Sequence, residues 1–281
     1  MAIRVVSDSA CDLPPALCEE LGIEIVPLTI RFGADELVDR VELTTAAFWD
    51  RLARSTVVPE TAAPSVGAFE STFRHLHEGG ADGIICINLS SRMSATMQSA
   101  QIAAKALDGV CPVSVIDSKS ASMGIGMLCI EAVRRANEGA DLDTIVAAVE
   151  DARGRGGLLF TVDTLEYLRK GGRIGGAQAM LGSMLSIKPV ITVKDGAVEP
   201  VGKVRTRSKA LRFVVDHVKG RPVESLCVLH AQAHDVDDFI TMLEPIMPAS
   251  KIVVGEIGPV VGVHTGPGTI GVTWLEASTS R

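Results

Sequence analysis

A serine-rich turn is the stretch of this chain best suited to binding an anion. It reads Asn88-Leu89-Ser90-Ser91-Arg92-Met93-Ser94-Ala95-Thr96. A short apolar run precedes it and a series of good helix formers follows it, so the turn joins a buried strand to a helix. A helix start has unpaired N–H groups and the positive end of the helix dipole. Ser94 is therefore a candidate anion-binding residue, and a plain N-cap role for Ser91 or Ser94 is the alternative.

Polar pairs end three of the predicted strands. They are Asp8-Ser9, Ser90-Ser91 and Asp117-Ser118. Strands that alternate with helices indicate βαβ units and a parallel sheet, which binds ligands beyond the carboxyl ends of its strands. We therefore expect these three pairs to meet at one edge of the sheet and to mark a site.

His264 is the one histidine whose surroundings suggest ligand binding. It lies among glycines, where an imidazole can hydrogen-bond an anion or can be an ordinary hydrogen-bonded histidine, and both interpretations stay open. The six histidines form no metal-binding pattern, so no metal is expected. Gly266–Gly271 matches G-x-G-x-x-G, but too little chain follows for a dinucleotide-binding unit, and no cofactor is predicted.

Composition excludes several classes of protein. The chain has 281 residues, 47% of them hydrophobic, and no apolar run long enough to span a membrane. It enters a strand without a signal-like segment, and we expect a cytoplasmic protein. The net charge of −7 argues against nucleic-acid binding. The segment from Arg169 to Arg212, however, contains ten basic residues and only two acidic ones, which suggests a docking face, a phosphate neighbourhood or a solvated surface.

The order of predicted elements indicates two domains. Residues 1–156 are predicted to form an α/β/α layer domain with a mainly parallel sheet, including one strand over 23–30 and a polar loop over 55–65. A cluster of glycine and arginine at 153–157 marks the boundary. Residues 157–281 are predicted to form a two-layer α+β domain with a mixed sheet, including a helix over 177–185 and a hairpin around Asp195-Gly196.

Seven sequence blocks occur in the order in which the DegV family has them, and together they cover nearly the whole chain. The blocks are Val6-Ser7-Asp8-Ser9-Ala10-Cys11-Asp12-Leu13-Pro14, Thr61-Ala62-Ala63-Pro64-Ser65, Leu89-Ser90-Ser91-Arg92-Met93-Ser94-Ala95-Thr96, Val115-Ile116-Asp117-Ser118-Lys119, Leu168-Arg169-Lys170-Gly171-Gly172-Arg173-Ile174, Lys203-Val204-Arg205-Thr206 and His264-Thr265-Gly266-Pro267-Gly268. The chain thus resembles that family, which implies a DegV-like fold. Family members bind one long-chain fatty acid, and some present its carboxylate to a separate ATP-dependent fatty acid kinase subunit.

The resemblance also implies roles for individual residues. Thr61 and Ser94 would hold the fatty-acid carboxylate, with His264 in the same polar network, and Arg173 and Arg205 would lie where the kinase subunit docks. The chain would then be a carrier without catalytic activity of its own. It departs from the family pattern in two places: Ala62-Ala63 replaces the usual Ser-Gln, and Ala95 replaces the usual Gly.

Two other functions remain as alternatives. The family resembles the substrate-binding half of dihydroxyacetone kinases in fold, so His264 or a serine would hold a small carbonyl compound in a phosphotransfer enzyme. Alternatively, the protein would sense acyl chains without any kinase. The resemblance leaves the preferred chain length and the oligomeric state open.

Overall fold

The computed structural model of this protein describes residues 2–278, which form α-helices, short 3-10 helices and strands. The elements, in chain order, are β1 (Ile3–Asp8), α1 (Pro15–Leu21), β2 (Ile23–Val26), β3 (Thr29–Phe32), β4 (Asp35–Val38), α2 (Thr45–Arg54), β5 (Glu60–Ala62), α3 (Val66–Glu78), β6 (Gly83–Asn88), α4 (Thr96–Lys105), β7 (Val113–Asp117), α5 (Met123–Asn137), α6 (Leu142–Arg155), β8 (Gly156–Thr161), α7 (Glu166–Lys170), β9 (Lys188–Lys194), β10 (Ala197–Val204), α8 (Arg207–Val218), β11 (Val223–His230), α9 (Val236–Leu243), β12 (Val253–Glu256), α10 (Pro259–Thr265) and β13 (Ile270–Glu276). The 3-10 segments are Ser9–Cys11, Gly175–Ser186 and Ala249–Lys251.

The first half of the chain forms a parallel sheet in the order β2-β1-β6-β7. Successive residues of a strand point to opposite faces, and each face of β1 carries a buried valine. Val6 packs with α3 and α4 in one core cluster, whereas Val5 packs with α5 and α6 in another. Helices therefore cover both faces, and the predicted α/β/α layer arrangement is confirmed.

The second half forms a mixed sheet in the order β10-β9-β8-β13-β11-β12. Helices α8 and α9 pack on one face through residues such as Val214 and Phe239. The other face, with Leu158 and Phe160, belongs to the same core cluster as α5 and α10. The predicted two-layer α+β arrangement and the β9–β10 hairpin are confirmed. The predicted domain limits, 1–156 and 157–281, stay a prediction, and α6 continues through Gly154 to Arg155 rather than breaking at the glycine.

Three predictions of local structure were wrong. The single strand expected over 23–30 is in fact two strands, because Pro27 has no N–H with which to continue the ladder. The second of them, β3, pairs with β4 and β5 in a third, antiparallel sheet. The predicted loop over 55–65 contains β5. The predicted helix over 177–185 is a 3-10 run, in a segment whose glycines weaken an α-helix.

Helix α10 was not predicted, because its valines are poor helix formers. Pro259 occupies its first turn, where the missing N–H of proline removes no helical bond. Within residues 2–278, none of the helices combines the length and apolar character needed to cross a membrane.

Candidate ligand-binding site

A mainly apolar cavity lies between the mixed sheet and the loops of the first half. An apolar lining with a few polar groups is usual for small-molecule sites. Most of this lining is apolar and comes from both halves of the chain: Leu28, Leu89, Met93, Leu158, Phe160, Leu168, Ile191, Val193, Val198, Ile257, Val260 and Val261.

Thr61 and His264 form a hydrogen bond with each other in the wall of this cavity. Thr61 lies in the short edge strand β5, opposite Ile30, and His264 lies in the last turn of α10. Thr61 Oγ1 is 3.1 Å from His264 Nε2. The two residues are 203 positions apart in sequence, so this contact joins the third sheet to the end of the chain.

His264 is neutral near pH 7. Burial lowers its pKa to about 4, and the positive charge of Arg173 adds to the effect. Its Nδ1 is buried without a hydrogen-bond partner. An unpaired lone pair is better tolerated than an unpaired N–H, which favours the tautomer protonated at Nε2. Nε2–H then donates to Thr61 Oγ1 and leaves the threonine hydroxyl hydrogen for a ligand.

Gly171 shapes the pocket around the His264 ring. A side chain at position 171 would place its Cβ 2.2 Å from His264 Nδ1, so the imidazole lies directly against the backbone. The N–H groups of Gly171, Gly172 and Arg173 all donate to carbonyl oxygens of α7. They are therefore not free to bind a phosphate, and this segment supports the histidine instead.

Ser94 lines the same cavity, but helix α4 begins later than predicted. Its N-cap is Ala95, and no side chain caps it. The proposed N-cap roles for Ser91 and Ser94 are therefore wrong. Ser94 Oγ accepts a hydrogen bond from the Thr96 N–H at 3.3 Å and lies 2.8 Å from Thr96 Oγ1. Ser94 thus presents its hydroxyl just before the helix rather than from its first turn.

Arg173 also lines the cavity, and Arg205 does not. The Arg173 guanidinium donates to the carbonyl oxygens of Met93 at 3.1 Å and of Gly171 at 2.7 Å, which holds it half-buried beside Ser94. Arg205 is exposed in the turn between β10 and α8. Four of the five residues singled out from the sequence therefore border one cavity, and the fifth lies on the surface.

The polar pairs at the strand ends converge as predicted, yet their carboxylates mostly hold loops. Asp8 is fully buried and accepts hydrogen bonds from Leu89 N at 2.8 Å and Asn88 Nδ2 at 3.1 Å. Asp117 accepts from the N–H and the hydroxyl of Ser91 at 3.2 and 2.5 Å. These side chains build the edge of the sheet next to the cavity and do not line it.

Sequence reasoning missed Ser122 and Thr265, which also border the cavity. Ser122 follows the Asp117-Ser118 motif and precedes α5, and its φ of 56° is unusual for a residue with a side chain. Thr265 ends α10. The proline that starts α10 was the available signal for that helix.

Among residues 2–278, no group of three or more His, Cys, Asp or Glu side chains is arranged to hold a metal ion.

The fold is that of an α/β protein whose cavity has a mainly apolar lining with a few polar side chains. Residues 2–277 match a family model described as "Uncharacterised protein, DegV family", and the chain belongs to this family. A DegV domain-containing protein of Streptomyces coelicolor is 36% identical over 276 residues, which cover 96% of this chain and 97% of the relative.

Two solved structures extend this likeness to the whole fold. A Thermus thermophilus DegV family protein, described by its fatty acid binding, has a TM-score of 0.91 and 34% identity, covering 99% of this chain and 100% of its own. A protein of Eubacterium ventriosum described as binding stearic acid has a TM-score of 0.88 and 28% identity, covering 98% of both chains. The predicted family and fold are thus confirmed.

Proposed function

We propose that this protein binds one long-chain fatty acid, with the acyl chain in the apolar cavity and the carboxylate at its polar end. The observation that carries the proposal is the uneven lining of the cavity, whose polar groups include Thr61, Ser94, Arg173 and His264 beside a mainly apolar wall. Related structures described as fatty-acid-binding support it. A burial free energy of ~0.8 kcal/mol for each CH₂ would supply most of the affinity.

The polar end would fix the orientation of the ligand. A buried carboxylate is unfavourable unless it is hydrogen-bonded and paired with charge. The Thr61 hydroxyl, oriented by His264 Nε2–H, and the Ser94 hydroxyl are the proposed donors, and Arg173 supplies the positive charge. No step of bond making or breaking is assigned to these groups, since the proposed role is that of a carrier without catalytic activity.

We further propose that a separate ATP-dependent kinase subunit phosphorylates the bound carboxylate. The exposed Arg205 and the basic residues between 169 and 212 would contact that partner. Ser94→Ala is expected to weaken lipid binding modestly and phosphorylation more severely. Unchanged transfer to the kinase would contradict the role of Ser94.

Native mass spectrometry of the purified protein, followed by denaturing lipid extraction, tests fatty acid binding. A bound mass equal to one long-chain fatty acid per chain is the expected result, and Phe160→Trp, which fills the cavity, should lower the occupancy. An empty protein whose melting temperature does not rise with added fatty acid contradicts the proposal, because a ligand that binds only the folded state must stabilise it.

The same experiment addresses the two alternatives. A thermal shift with dihydroxyacetone and none with fatty acid would favour a small-carbonyl site, although the mainly apolar lining does not suit so polar a ligand. Fatty acid binding without phosphorylation by any copurifying kinase would favour an acyl-chain sensor.

A further inference from the structure

Asp12 joins the beginnings of two helices from opposite halves of the chain. It is only 4% exposed. Its Oδ2 accepts a hydrogen bond from Ser122 Oγ at 2.5 Å, and its Oδ1 accepts one from Gly258 N at 3.0 Å. Ser122 is the N-cap of α5, and Gly258 is the N-cap of α10. One buried carboxylate therefore ties together two helix N-termini that lie far apart in sequence.

The approach of Asp12 to α10 is close enough to restrict the residue at position 258. A Cβ on Gly258 would lie 2.8 Å from Asp12 Oδ1, inside the contact distance of ordinary side chains. Glycine at this position thus allows the carboxylate to reach the N-cap N–H. The next residue, Pro259, has no N–H, and the Gly258 N–H is the main-chain donor that Asp12 uses at this end of the helix.

The N-cap of α5 and helix α10 border the cavity, although Asp12 does not. Ser122 itself lines the cavity, and α10 contributes Val260, Val261 and His264. Helix α10 spans only seven residues, so a shift at its N-terminus moves the whole element. His264 is in its last turn, and the contact between His264 and Thr61 depends on where that helix lies.

Several charged groups surround the Asp12 carboxylate. Arg40 and Asp39 approach from the segment after β4, and His230 and Glu256 line the same surface recess from the ends of β11 and β12. Burial raises the pKa of Asp12 to about 7, against the opposing effects of Ser122, Arg40 and the Gly258 N–H. Burial also raises the pKa of Asp39, to about 6.

We propose that Asp12 is a positioning residue that holds α10, and with it His264, in the place required for fatty acid binding. This inference rests on the proposed function. Asp12 acts through Gly258 and Ser122 and does not touch the ligand. The first sequence block shared with the family, which contains Asp12 but contributes nothing to the cavity lining, thereby acquires a role.

Ionisation of Asp12 strengthens this attachment. A carboxylate accepts charge-assisted hydrogen bonds from both Ser122 and Gly258. A protonated carboxyl can still accept from the Gly258 N–H and can donate its O–H to Ser122 Oγ, but both hydrogen bonds then lose the assistance of the negative charge. Fatty acid affinity should therefore fall several-fold between pH 8 and pH 6. Over this range His264 stays neutral, because its pKa is about 4.

The test compares Asp12→Asn, Asp12→Ala and Asp39→Asn by titration with a fluorescent long-chain fatty acid, kept below its self-assembly concentration, from pH 6.0 to 8.5. The amide of the Asp12→Asn variant retains an acceptor for Gly258 and a donor for Ser122 but does not titrate. We expect Asp12→Asn to bind with an affinity independent of pH and Asp12→Ala to bind about tenfold more weakly at pH 8. Asp39→Asn should keep a pH-dependent affinity, with its midpoint moved to lower pH because the charge of Asp39 raises the pKa of Asp12. A wild-type pH profile in Asp12→Asn overturns the proposal.

Hydrogen exchange of the α10 amides separates this proposal from the proposed function. Faster exchange of residues 260–265 in Asp12→Ala, with unchanged exchange in β1, supports the positioning role even if no fatty acid binds to the wild type. Failure of wild-type binding alone would count against fatty acid binding. Unchanged exchange in α10 of a folded Asp12→Ala protein would overturn the role of Asp12.

Discussion

The carboxyl edge of the parallel sheet and the polar end of the cavity are neighbours that use polar side chains differently. At the sheet edge, Asp8 and Asp117 accept hydrogen bonds from Leu89 and Ser91 of the serine-rich turn, and Ser90 donates to the β9–β10 turn. At the cavity, Thr61 and His264 bond to each other, and His264 Nδ1 has no partner. The polar groups of the sheet edge are hydrogen-bonded within the protein, whereas at the cavity the Thr61 hydroxyl keeps a hydrogen that its bond with His264 does not use.

This difference teaches that polar residues at strand ends need not line the cavity that they help to build. The sheet edge holds the loop from which Leu89, Met93 and Ser94 reach the cavity. Substitutions at the edge should therefore change stability first, and substitutions at the polar end should change binding first. Four predictions test this contrast.

The largest effect is expected at the sheet edge. Asp8→Ala removes the acceptor of Leu89 N, Asn88 Nδ2 and Ala10 N in a fully buried place. Because a buried donor without an acceptor is unfavourable, the free energy of unfolding should fall by about 3 kcal/mol. Urea denaturation measures this, with Asp8→Asn, which keeps one acceptor, as the milder control. A change below about 0.5 kcal/mol, the range of ordinary surface substitutions, would mean that the edge is not structural.

Lowering the pH should reduce the free energy of unfolding, because His264 is buried in its neutral form. Its folded-state pKa of about 4 lies below the unfolded value of 6.5, so the unfolded state takes up a proton first as pH falls. The stability contributed by neutral His264 is present above pH 6.5 and declines towards pH 4, by about 3 kcal/mol.

Urea denaturation of wild type and His264→Gln at pH 7 and pH 4 isolates this loss. Subtracting the variant removes the contribution of Asp12, whose raised pKa acts in the opposite direction by stabilising the folded state as pH falls. An equal acid loss in both proteins would show that His264 is not buried as a neutral group.

A matched pair of substitutions sharpens the contrast in binding. Thr61→Val keeps the shape of the side chain but removes the hydroxyl between His264 and the ligand, and it should weaken fatty acid binding about tenfold, the equivalent of one hydrogen bond of ~1.4 kcal/mol. Ser91→Ala removes an exposed hydroxyl bonded to Asp117 and should leave the affinity unchanged. Calorimetric titration of both variants decides, and equal affinities would remove the distinction between the two regions.

The smallest effect is expected at Arg205. This residue is exposed and lies outside the cavity, so Arg205→Ala should change neither fatty acid affinity nor the free energy of unfolding by more than about 0.5 kcal/mol. Arg173→Ala, which removes a charge beside Ser94, is the comparison and should lower affinity. A loss of binding in Arg205→Ala would show that the polar end extends further than the cavity lining.

The sequence predicted the two main sheets well because the apolar residues of each strand match the layers that cover its two faces. In β6, Ile84 and Ile85 face opposite helical layers, so its unbroken apolar run already indicates a strand covered on both faces. The same logic failed for residues 23–30, where an apolar run crosses from one sheet to another at Pro27. It also failed for α10, whose valines favour strands but are held as a helix by tertiary packing.

By itself, the sequence determined the layers of both halves, the serine-rich turn, and four residues that border the cavity. These follow from local propensity, from apolar periodicity and from blocks shared with a family. Only the tertiary structure decided that Thr61 bonds His264, that Arg205 lies apart, and that Asp12 joins α5 to α10. The reason is physical: these contacts join residues far apart in sequence, whose distances depend on how the two sheets pack together.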